Sequence, residues 1–208
     1  MSKRTLAAVV VTASFALGAN TLAGHHEKAE AHTGADDAMA MDDQAIMQAM
    51  AAAATPGDPH AVLADGVGTY KADMQFWMGP GTDPMPSSMT VEREMDLGGR
   101  VLVERWKGLA MGQPFEGVGR TGYDNVTKRY WSTWTDNFST GVLIMYGQYD
   151  KDTGGLSFEG TSIHPASGAE YKMRSNGSGA GTDVETMAMF EDHGQGEYKS
   201  MQVTLTRQ

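Results

Sequence analysis

Tyr130, Ser132, Trp134 and Asp136 fall on alternate positions of the stretch "RYWSTWTD", and in an extended chain alternate side chains share one face. Rings beside a carboxylate suit the holding of a small molecule: the rings give apolar contact, and the acid orients an amine or hydroxyl. Trp131, Thr133 and Thr135 fall on the opposite face. Turning the first set inward, and adding rings from flanking runs, gives a predicted ligand site of Trp106, Phe115, Tyr130, Trp134, Asp136 and Tyr146. Asp136 also has a plainer reading, as a strand-end aspartate in "TDN" bonded to a turn backbone.

A second constellation lies near the N-terminus. Cleavage after Ala23 would leave Gly24-His25-His26 as the new chain start. A free amine, two amide nitrogens and the third-position imidazole form a square-planar set suited to Cu(II) or Ni(II). The metal expectation, at His25 and His26, is conditional on that cut, and the alternative is a spacer whose histidines are incidental. His60, His164 and His193 show no ligand-like spacing, so no haem is expected. Gly117, Gly119 and Gly122 spell GxGxxG, but a dinucleotide fingerprint needs a helix after the glycines, and here a strand follows. Those glycines instead serve strand bending or close backbone approach. There is no GxSxG, HExxH, P-loop or cysteine, so nothing in the sequence supports catalysis.

The elements that must carry these residues are strands. From Gly68 the chain alternates apolar and polar residues: in "GTYKADMQFWM", Tyr70, Ala72, Met74, Phe76 and Met78 oppose Lys71, Asp73 and Gln75. Further runs cover 87–97, 100–109, 114–123, 129–137, 141–149, 155–161, 169–177, 183–191 and 198–207, divided by turn signals such as "LGGR" and "DKDTGG". Ten strands with short connections predict an all-β, up-and-down antiparallel barrel, since closure removes exposed edges. Upstream, Asp42 or Asp43 can cap a short helix over residues 43–54, with Ile46, Met47 and Met50 at helical spacing and Pro56-Gly57 ending it.

The first residues bear on the compartment. Lys3 and Arg4 precede an apolar run from Leu6 to Ala19 that is too short to span a bilayer, with small residues after it. This is a signal-peptide layout over residues 1–23, so the protein is expected to be exported, periplasmic or secreted, with no membrane insertion after cleavage. Residues 24–55 form an acidic His-, Met- and Ala-rich tail that ends in the short helix. The formal charge is −10; such acidity excludes phosphate backbones, and so nucleic acid, as partners.

"PGDPHAVLADGVGTYKADMQFWMGPG" and "LGGRVLVERWKGLAMGQPFEGVGRTGYDNVTKRYWSTWTDNFSTG" resemble a bacterial family of exported domains of unknown function, DUF1579, over residues 56–208. That family looks related to the lipocalin-like, or calycin, barrels. Their resemblance implies a short helix entering a Gly-x-Trp strand, and an Arg of the last strand packed across that Trp. Here the matching residues are Gly68, Tyr70 (in place of Trp) and Arg207, so Arg207 is expected over Tyr70, closing one barrel end in a structural role. The reading is a non-catalytic carrier whose barrel encloses an apolar or aromatic small molecule. The alternatives are a metal-handling tail and a scaffold barrel filled by its own side chains.

Overall fold

In the computed structural model, which describes residues 42–208, the alternating runs form ten antiparallel strands. They are β1 (Gly68–Phe76), β2 (Met85–Asp96), β3 (Val101–Ala110), β4 (Gln113–Asp124) and β5 (Arg129–Asp136), then β6 (Leu143–Asp150), β7 (Gly155–Ile163), β8 (Glu170–Ser178), β9 (Val184–Asp192) and β10 (Tyr198–Arg207). Each pairs with the next, and β1 pairs with β10 to close the barrel. The all-β, up-and-down reading is therefore correct, and every strand boundary lies within two residues of its expected place.

The period of two decides which side chains face inward. Tyr70, Ala72 and Met74 of β1 are buried while Lys71, Asp73 and Gln75 are exposed. Across the closing seam, Ala72 faces Leu205 and Met74 faces Val203, and all four belong to one apolar cluster with Met89, Val91 and Trp106. Residues directly opposite in an antiparallel pair share a face, so the pattern of one strand propagates around the barrel.

Helix α1 (Asp43–Ala54) lies where the sequence puts it, and Asp42 accepts a hydrogen bond from the Gln44 amide at 3.2 Å. It buries no residue. Its contact with the barrel is through the carbonyls of its last turn, which have no helical partner. Asn125 Nδ2 donates to Thr55 O at 2.8 Å and Arg100 Nη2 to Ala54 O at 2.6 Å.

A second helix, α2 (Asp58–Ala64), leads into β1, where the resemblance implies a short helix. Gly57 precedes it, Pro59 sits in its first turn, where the missing N–H costs nothing, and the Gly57 amide donates to His60 Nδ1 at 3.1 Å. His60 is buried, edge-on to the Tyr123 ring. Leu63 packs on Leu102 and Tyr130. The helix thus plugs the end of the barrel against β2, β3 and β4; the other end, ringed by the β1–β2, β3–β4 and β5–β6 connections, carries exposed Met78, Met111 and Phe138.

Candidate ligand site in the barrel interior

Inside the barrel is a cavity of about 450 Å³, within the range of small-molecule sites. Its wall is mostly apolar: Met74, Phe115, Trp134, Met145, Met187 and Leu205 come from six different strands. Trp106 and Trp134 meet edge to face with centroids 5.9 Å apart, and Phe115 stacks on Trp134 at 6.3 Å.

Gly117 lets Trp134 lie flat on the wall, and Gly119 makes room for Glu104. A Cβ on Gly117 would stand 2.4 Å from the Trp134 ring, and one on Gly119 would stand 3.0 Å from Glu104 Oε2. Close approach, not phosphate binding, is the work of the glycines in "FEGVGRTG".

Four of the six expected ligand residues, Trp106, Phe115, Trp134 and Asp136, come together on this wall. Asp136, though, is occupied. Its Oδ2 accepts from Trp134 Nε1 at 2.7 Å, and its Oδ1 accepts from the amides of Phe138 and Ser139 at 2.9 and 3.0 Å. This is the turn-bonded aspartate of the plainer reading, and it fixes the indole it was expected to assist.

The remaining two, Tyr130 and Tyr146, do not line the cavity. Tyr130 does point inward, but beneath α2: it is buried, and its hydroxyl donates to Pro59 O at 3.0 Å. Tyr130 seats the plug and does not line the cavity. Tyr146 lies outside. It pairs directly with Trp131, whose face is the outer one, so Tyr146 is half-exposed with the Arg129 guanidinium 3.8 Å above its ring. The residues of β6 that line the cavity are Leu143 and Met145.

Gly68, Tyr70 and Arg207, the residues matched to the resemblance, lie together at the seam. Arg207 pairs with Tyr70 in the β1–β10 ladder, and its guanidinium stands 4.8 Å over the Tyr70 ring. It also donates to the carbonyls of Asp65 at 3.0 Å and Gly181 at 3.3 Å. Gly68, at φ 147°, sits so close that a Cβ there would meet Arg207 Nη1 at 2.6 Å. His25 and His26 lie outside the described residues.

What strand patterning did not single out is a charged group inside the barrel, next to α2. Arg93 of β2 places Nη1 2.7 Å from Glu185 Oε2 and Nε 2.5 Å from Glu104 Oε1. The first contact is an aligned hydrogen bond; the second is a charge contact off hydrogen-bond alignment. Burial opposes the Arg93 charge, but Glu104 and Glu185 outweigh it and hold the guanidinium protonated. Glu185 Oε1 accepts from the Gly181 amide at 2.9 Å and stands 3.5 Å from the Tyr70 hydroxyl. Burial, then the Glu185 charge, pushes the Tyr70 phenol above its usual range. The signal is present in the sequence: "MTVEREM" and "VLVERW" each put one charged residue, Arg93 and Glu104, at an inward position of an apolar alternation.

A family model described as "Protein of unknown function (DUF1579)" matches residues 55–207. A comparison with curated proteins finds no match. Among solved structures, the chain is similar to the crystal structure of Rv2717c from M. tuberculosis, with 15% identity and a TM-score of 0.52. That likeness covers 74% of this chain and 99% of that one, and at such identity it concerns the fold alone.

Proposed function

From the premise that this chain belongs to the DUF1579 family, we propose that it is an exported, non-catalytic binding protein whose barrel encloses one apolar or aromatic small molecule. The observation that carries the reading is the cavity of about 450 Å³ among Trp106, Phe115, Trp134 and several methionines. A barrel of this kind is either packed by its own side chains or holds one ligand. Here the wall residues lie back against glycines, leaving space between them. Methionines suit the purpose, because an unbranched thioether adapts to differently shaped guests. The reading of export rests on the basic start and short apolar run of residues 1–23.

Native mass spectrometry of the protein recovered from the cells that make it, paired with a denatured intact mass, tests both parts. A native mass exceeding the denatured one by that of a small molecule is expected, with a denatured mass lacking residues 1–23. Equal masses, together with no binding of an apolar fluorescent probe, overturn the carrier reading. A denatured mass that retains the leader overturns export.

A further inference from the structure

We infer that the cavity selects for a protonated amine: its guest is an amphiphile whose apolar chain fills the barrel and whose ammonium head meets Glu104 beside the α2 plug. The inference rests on the carrier reading and adds the chemical class of the guest.

Glu104 and Glu185 share one buried cation, Arg93, so this interior group carries a net charge of −1 when all three are ionised. The side chains of Arg93 and Glu185 are 9% and 10% exposed, and the surroundings are apolar. An uncompensated buried charge is costly and attracts a counter-charge.

The two carboxylates are not equivalent. Glu185 is filled: Arg93 takes one oxygen, and the Gly181 amide and Tyr70 hydroxyl approach the other. Glu104 is half-used. Arg93 stands at its Oε1, while Oε2 lies over Gly119 on the cavity wall, where no donor among the described residues reaches it.

Two further buried polar groups flank this carboxylate. Trp106, two residues along β3 on the same inward face, is 5% exposed, lines the cavity, and has an Nε1 with no acceptor among the described residues. Arg93 Nε, nine-tenths buried, is likewise out of hydrogen-bond alignment. Buried polar atoms are normally paired. A head group bringing a donor to Glu104 Oε2 would complete that carboxylate. A carboxylate head would instead meet a net negative floor, so fatty-acid-like anions are disfavoured.

The test is displacement of a neutral apolar fluorescent probe from the full-length protein by decylamine, decanol and decanoate. Decylamine should bind at least about tenfold more tightly than decanoate or decanol, the scale of one charge-assisted hydrogen bond. Glu104→Gln, which leaves Arg93 paired with Glu185, should bring decylamine to the level of decanol. Because the whole chain is acidic, surface attraction also draws amines; a preference that survives Glu104→Gln overturns the inference. So does decanoate binding as tightly as decylamine in the unaltered protein, an arm that needs no variant to fold. If the probe binds but none of the three displaces it, the amine inference falls and the carrier reading stands. If the probe itself does not bind, both fall.

Discussion

The guanidinium of Arg207 lies 4.8 Å over the ring of Tyr70, tying the last strand of the barrel to the first. The same guanidinium donates to carbonyls at Asp65, Val67 and Gly181, so one side chain joins β10, the exit of α2 and the β8–β9 connection. Arg207→Ala removes the stacking and leaves those carbonyls to water, and should cost about 2 kcal/mol. Arg207→Lys keeps the charge but cannot fork, and should recover less than half of that. Urea denaturation of the three proteins measures both; an unchanged midpoint for Arg207→Ala would remove Arg207 from barrel closure.

Arg93 presents the opposite case, a cation whose loss strands its partners. Arg93→Met fills similar volume but leaves Glu104 and Glu185 facing each other across the interior. Breaking a buried ion pair from one side costs about 3–5 kcal/mol. The expected result is a large fall in melting temperature at neutral pH that is partly recovered on acidification, as the carboxylates take up protons. A melting temperature that falls equally at both pH values would mean lost packing, not stranded charge.

These two arginines also show what strand periodicity reveals. Arg207 is found through a resemblance at the chain's last strand, and the ten strands are readable because a period of two persists in every run. Arg93 and Glu104 do occupy apolar-parity positions, but the pairing that makes them a group joins residues 92 positions apart, Arg93 and Glu185. No local pattern records such a distance. Tyr146 is misplaced for a related reason. The connection from Asp136 to Leu143 is long enough to leave register open, and a slip of one residue moves a side chain to the other face. Helix α2, only seven residues long, is too brief to display a helical period, and only the resemblance points to it.

The placement of the rings makes an ordered prediction. Trp134→Ala should abolish binding of an apolar fluorescent probe, because the ring forms cavity wall with Phe115 and Trp106. Tyr146→Ala should leave binding unchanged, since that ring lies under Arg129 on the outer surface. Gly117→Ala offers a subtler case. Its Cβ would press on Trp134 from 2.4 Å and push the indole toward the cavity, so probe affinity should fall while the protein loses about 1–3 kcal/mol from overpacking. Equal binding by Trp134→Ala and the unaltered protein in a fluorescence titration would mean that the probe sits elsewhere.

Alkaline pH acts on the residue that seats the plug. Burial, then the neighbouring Tyr123 and Tyr149, pushes the Tyr130 phenol up to about 12, and burial with the Glu191 charge does the same for Tyr198. In the unfolded chain both would titrate near 10. Between about pH 10 and pH 12, then, the folded protein keeps protons that the unfolded chain has released, and stability falls as pH rises through this window. Below about pH 10 the contribution is fully present. The urea midpoint should therefore drop steeply from pH 10 to 12, and Tyr130→Phe should make that slope shallower. The variant also gives up the hydrogen bond to Pro59 O, worth about 1 kcal/mol, which lowers stability at every pH by a similar amount. Offset and slope thus separate the two roles of one hydroxyl: holding α2 in the barrel end, and keeping its proton there. An unchanged slope in Tyr130→Phe would show that the buried phenol does not control the alkaline transition.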